Sequence, residues 1–126
     1  MLPLHGDDMI NPDVKTELVE LLRLGGDVHY LIDSERSSAG APLTDKRQGF
    51  VDTCRELGIG GHVLERRALE NYLTQDAIER AFGTSSVALG PFEKRGWPKR
   101  DNWRAAAEMK KTDIDGTDLG EFLQGL

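Results

Sequence analysis

The chain has 126 residues, 38% hydrophobic and 30% charged, which fits one globular domain and excludes a disordered or fibrous protein. Its apolar runs span only a few residues and its first residues carry no basic, leader-like stretch, so neither a transmembrane helix nor export is expected and the chain reads as cytoplasmic. The formal net charge of −6 argues against a uniformly basic nucleic-acid coat, and the lone Cys54 excludes a disulfide framework and a cysteine zinc cluster.

In chain order, Leu2-Pro3-Leu4 reads as the end of a strand, and Asn11-Pro12 as a helix start with Asn at the cap and Pro at the first helical position. Val14, Leu18, Leu21 and Leu22 then recur as one apolar face, and Gly25-Gly26 ends the helix. Val28 to Ile32 is a short run of β-formers and predicts a buried strand that stops at Asp33-Ser34-Glu35. Thr44 caps a second helix with Phe50, Cys54 and Leu57 inward, ended by Gly58. A second buried strand is predicted over His62 to Glu65, then a helical turn over Ala68 to Leu73. Thr74 caps a helix with Ala77, Ile78, Ala81 and Phe82 inward. Residues 85–97 read as irregular, broken by Gly90-Pro91 and Gly96-Trp97-Pro98. Asp101 or Asn102 caps a helix whose Trp103, Ala106 and Ala107 face the core. Thr117 caps a last one carrying Leu119, Phe122, Leu123 and Leu126 on one stripe. Strands alternating with amphipathic helices predict an α/β domain with a parallel sheet. Residues 1–83 would form its α/β core, and residues 84–126 a basic loop and C-terminal helices.

The charge is unevenly distributed. Between Lys94 and Lys111 lie seven basic residues and two acids, a segment of +5 against −11 for the rest. A carboxylate-rich body with one cationic segment suits metal-dependent phosphodiester chemistry, although a solvated basic helix would show the same excess. Asp33 and Glu35 sit two apart at a strand end, where ligands of open α/β sheets bind. If the backbone stays extended there, both carboxylates point one way and invite a hard divalent cation; an acidic turn is the plainer alternative. Glu65 and Glu70 follow the next strand on the same rim, with Arg66 and Arg67 between them as phosphate contacts or partners for the acids. Lys94, Arg95, Lys99, Arg100 and Arg104 interleave with Trp97 and Trp103, a pattern that suits a nucleic-acid backbone with some stacking. Cys54 lies on an apolar helix face and reads as core. His5, His29 and His62 are too dispersed for a metal pair, and the glycines form no phosphate-binding loop.

Three stretches together carry a resemblance. Tyr30-Leu31-Ile32-Asp33-Ser34-Glu35-Arg36, the helix ending Cys54-Arg55-Glu56-Leu57-Gly58-Ile59, and Val63-Leu64-Glu65-Arg66-Arg67-Ala68-Leu69-Glu70-Asn71-Tyr72-Leu73 resemble the C-terminal TOPRIM domain of OLD-family (overcoming lysogenisation defect) nucleases. Leu2 to Asp8 also looks like the second strand of that domain and its loop. The acid-x-acid triplet is common; its combination with Arg-x-x-Glu-Asn-Tyr after the next strand is far more specific. The resemblance implies a TOPRIM-like fold and a DNA endonuclease using Mg2+ or Mn2+. It also implies partnership with an ATPase domain or subunit, or self-association, in phage defence. It would make Asp33, Glu35 and Glu70 metal ligands, with Glu70 and Lys99 catalytic and Lys94 the runner-up to Lys99. Arg66, Arg67, Lys94, Arg100 and Arg104 would contact DNA by charge.

Two departures bear on this. Glu35 stands where the family usually has aspartate, and no strand followed by a glutamate near a glycine precedes Leu2. The expectation is therefore a domain lacking its first strand, weak or inactive alone. The alternative is a degenerate TOPRIM serving assembly or regulation, since an unpaired sheet edge favours association. A receiver-like domain phosphorylated on Asp33 is a third and weaker alternative.

Overall fold

The computed structural model describes residues 14–25 and 27–126. Their helices are α1 (Val14–Arg23), α2 (Asp45–Glu56), α3 (Gln75–Phe82), α4 (Asn102–Ala106) and α5 (Asp118–Gln124). Two strands, β1 (His29–Ile32) and β2 (Gly60–Val63), pair in parallel, with His29 opposite Gly60 and Ile32 opposite Val63. Short 3-10 turns occupy Leu69–Tyr72, Lys99–Asp101 and Lys111–Ile114. The chain is thus α/β. None of its described helices is long and apolar enough to cross a membrane. The strand read at Leu2-Pro3-Leu4 and the helix start at Asn11-Pro12 lie outside the described residues.

Packing clusters lie on both faces of β1, which explains why Tyr30, Leu31 and Ile32 are apolar in succession. Tyr30 and Ile32 point to one side, where they pack with Val14 and Leu18 of α1 and Phe50 and Cys54 of α2. Leu31, one residue out of phase, meets the second cluster of Leu64, Tyr72 and Leu119 on the other side. Tyr30 and Phe50 meet edge-to-face at 5.5 Å. Burying each such side chain stabilises the fold by roughly 1.5–3 kcal/mol. Cys54 is fully buried and its thiol is pushed up to about 11 by that burial, so it is a core residue and a poor nucleophile.

Helix starts follow their caps. The hydroxyls of Thr44, Thr74 and Thr117 accept hydrogen bonds from the amides of Arg47, Ala77 and Gly120. Three expectations shift. β2 begins at Gly60, two residues early, and is only half-covered. Gly61 fits because a Cβ there would collide with the Tyr30 ring. In α4 the buried residue is Ala105, whereas Ala106 and Ala107 are exposed and Trp103 is 68% exposed. That helix is five residues long and follows a 3-10 turn, so its facing departs from the simple periodicity. Of the last apolar stripe only Leu119 is buried; Phe122 is half-buried, and Leu123 and Leu126 are exposed.

Candidate functional site

The segments after β1 and β2 lie side by side at the carboxyl end of the sheet. The Leu64 amide donates to Ile32 O at 3.0 Å, and the Glu35 amide to Arg67 O at 2.9 Å. Buried Ser34 donates its hydroxyl to Arg66 O at 2.8 Å. Arg47 reaches from α2 and donates its Nε to Asp33 O at 2.9 Å. The pairing sets Asp33 and Glu35 beside the Arg66–Glu70 stretch, as the sequence had led us to expect.

The local backbone differs from that expectation. Glu35 has φ +55°, a left-handed conformation uncommon for a residue with a Cβ. The chain therefore leaves the extended state at Glu35, and the same-face argument for the two acids does not hold. Asp33 nonetheless senses both glutamates. Burial raises its carboxyl above the ordinary carboxylate range, and the charges of Glu70 and Glu35 push it the same way. The Leu69 amide and the charge of Lys99 pull it back. Lys99, singled out as a basic catalytic candidate, thus stands within electrostatic reach of Asp33.

The glutamates are held by arginines. Arg67 Nη2 donates to Glu35 Oε2 at 3.0 Å, and its Nη1 to the carbonyls of Glu35 and Arg36 at 3.3 Å each. Arg95 Nη1 donates to Glu70 Oε1 at 2.9 Å, leaving its buried Nε unpartnered. Glu35, Arg67, Glu70, Lys94, Arg95 and Trp97 line an open cavity of about 450 Å3. Among the described residues, no three carboxylate, thiol or imidazole side chains converge to hold a metal ion. As placed, Asp33, Glu35 and Glu70 do not form a ready cage; guanidinium groups supply the positive charge.

The remaining cations divide by role. Arg66 donates to Asn71 O at 3.0 Å and lies over the Tyr72 ring at 4.7 Å, so it braces the turn. Arg104 bonds Ala81 O and lies over Phe82. Lys94, Lys99 and Arg100 are exposed, while Glu65 is exposed with its backbone amide on Asp118.

Two groups of supporting residues were not foreseen. Buried Asn71 donates to the carbonyls of Gly90 and Glu93 at 2.8 Å each and accepts from the Ala68 amide at 3.1 Å. With the Arg67 amide on Pro91 O, it ties the start of the cationic loop to the acidic rim. Asp118 accepts from the Tyr72 hydroxyl at 2.6 Å and the Glu65 amide at 2.9 Å, and pairs with His62 Nε2 at 2.6 Å. Burial acts to raise the Asp118 carboxyl, but bonds from Tyr72, Glu65 and His62 outweigh it and hold it below the usual range. The sequence offered Glu70-Asn71-Tyr72 as a motif; the groups to which Asn71 and Tyr72 donate lie 19 to 46 residues away and leave no local signal.

Comparison with protein-family models, with curated proteins and with solved structures found no match to this chain.

Proposed function

We propose that the chain is a TOPRIM-like module of a DNA nuclease, resembling that of the OLD family, which hydrolyses phosphodiester bonds with Mg2+ or Mn2+ as part of a larger ATPase–nuclease defence assembly. One observation carries the reading: a half-buried carboxylate, Asp33, lies within electrostatic reach of two further acids and of Lys99 at the carboxyl end of parallel strands. The adjoining cavity sets Arg67, Lys94 and Arg95 against Glu35 and Glu70, and this slight positive excess favours a phosphate. In this role Lys99 would stabilise charge on the phosphoryl group, and Lys94 and Arg100 would hold the backbone. Because Glu35 and Glu70 are already neutralised by arginines, cutting by the chain alone is expected to be weak.

Those same ion pairs favour a second reading, a non-catalytic TOPRIM-like module for assembly or regulation. Calorimetric titration with Mn2+ and a plasmid-nicking assay separate the two. Saturable Mn2+ binding and nicking, both lost in Asp33→Ala, support the nuclease. Absence of Mn2+ binding supports the second reading, and nicking undiminished in Asp33→Ala refutes the site.

A further inference from the structure

Trp103 is 68% exposed. It lines an apolar groove of about 290 Å3 whose floor includes Leu69, Leu73, Met109 and Ile114. That volume is at the low end for small-molecule pockets and suits one planar ring system. Glu70 lines both this groove and the charged cavity, so the two adjoin across a single residue. The chain around the indole is cationic, with Lys99, Arg100, Arg104, Lys110 and Lys111 all exposed. Within the groove Glu70 is the one charged side chain, and Arg95 neutralises it. An exposed indole beside an apolar floor and bordered by exposed cations matches the needs of a nucleotide: a face for the base and positive charge for its phosphate.

We infer that Trp103 and its groove take an unpaired nucleobase of single-stranded nucleic acid, with the attached phosphate on the exposed cations around the indole. This rests on the reading that the chain binds nucleic acid, and sharpens it to a substrate whose bases are unstacked. Bases inside a duplex are stacked on one another and do not offer a face to the indole.

The test is fluorescence anisotropy at fixed salt, with the full chain and three labelled probes: a short single-stranded oligodeoxynucleotide, its duplex, and the same strand with abasic sites. Trp103→Ala, at an exposed position, is checked for folding by circular dichroism. It is expected to weaken single-strand binding by about 5- to 150-fold, the range for one lost base–aromatic stack. Trp103→Phe should recover part of the loss, while duplex and abasic probes should respond little to either variant. Unchanged single-strand affinity in Trp103→Ala, or an equal loss on all three probes, overturns the inference and leaves the nuclease reading intact. Failure of the unaltered chain to bind any probe removes that reading as well. Single-strand binding unaffected by Trp103→Ala, together with loss of self-association in sedimentation, would place a second copy in the groove instead and also refutes the proposal.

Discussion

Asn71 offers the sharpest test of how the cationic loop is held. Its amide makes three hydrogen bonds, to Gly90 O, Glu93 O and the Ala68 amide, from a position only 1% exposed. Each bond contributes about 1 kcal/mol net, and a buried amide left unpaired costs about 1–3 kcal/mol more. Asn71→Ala should therefore destabilise by roughly 4–6 kcal/mol, a large share of the ~6–19 kcal/mol expected for a chain this long. Asn71→Asp keeps the acceptor for Ala68 but turns a carboxylate toward two carbonyls. At neutral pH it should be at least as damaging as Asn71→Ala. The introduced carboxyl would have a folded pKa above its unfolded value of about 3.9. Its burden grows as pH rises through that range and is relieved on acidification, when the protonated acid regains a donor. Urea unfolding followed by tryptophan fluorescence measures both variants at pH 4.5 and 7, and amide exchange over residues 90–95 reports loosening of the loop. An Asn71→Ala penalty below about 1 kcal/mol would refute the argument. So would an Asn71→Asp variant whose pH dependence matches that of Asn71→Ala.

Three further outcomes follow from the same geometry. Asp33 has its carboxyl raised above 3.8, so the native state holds its proton more tightly than the unfolded chain. Its effect lowers stability as pH rises through the carboxylate range, and Asp33→Asn should raise Tm at pH 7 but give less benefit at pH 3, read by calorimetric scans. Asp118 is the reverse case: its carboxyl is held below 3.8, so its stabilisation is full above that value and fades as pH falls through the folded pKa. Asp118→Asn should cost about 2–3 kcal/mol at pH 7 and flatten the acid limb of the stability curve, given the strength of bonds to a charged acceptor. At the φ of +55° found for Glu35, Glu35→Gly should be more stable than Glu35→Ala by about 1 kcal/mol. Both lose the carboxylate, so equal denaturation midpoints would show that the backbone there is unstrained.

The elements most legible in the sequence were those set by local chemistry. Thr44, Thr74 and Thr117 mark three helix starts through their own hydroxyls, and the β-formers before Asp33 mark the first strand. The displaced second strand shows the opposite case. Gly60 and Gly61 are poor strand formers, yet pairing with His29 and Tyr30 draws them into the sheet. At the candidate site, sequence spacing indicated that Asp33, Glu35 and Glu70 would share a rim. It could not show that Arg67 and Arg95 claim the two glutamates, because those pairs span 32 and 25 residues. Trp103 shares a helical face with Ala106 and Ala107 by spacing, which predicts burial, yet the turn preceding its short helix faces it outward.

Asp118 is made 56 residues after His62, the strand residue it holds. At a synthesis rate of about 5–20 residues per second, the ribosome needs roughly 3 to 11 s to deliver it. Until then the Tyr72 hydroxyl, made 46 residues before its acceptor, stays unpaired, and Leu64 lacks the Leu119 side chain that later packs against it. The nascent chain thus passes through a stage in which one face of its sheet is open to other chains. A holdase that covers this face during translation would raise yield without changing the stability of the finished protein.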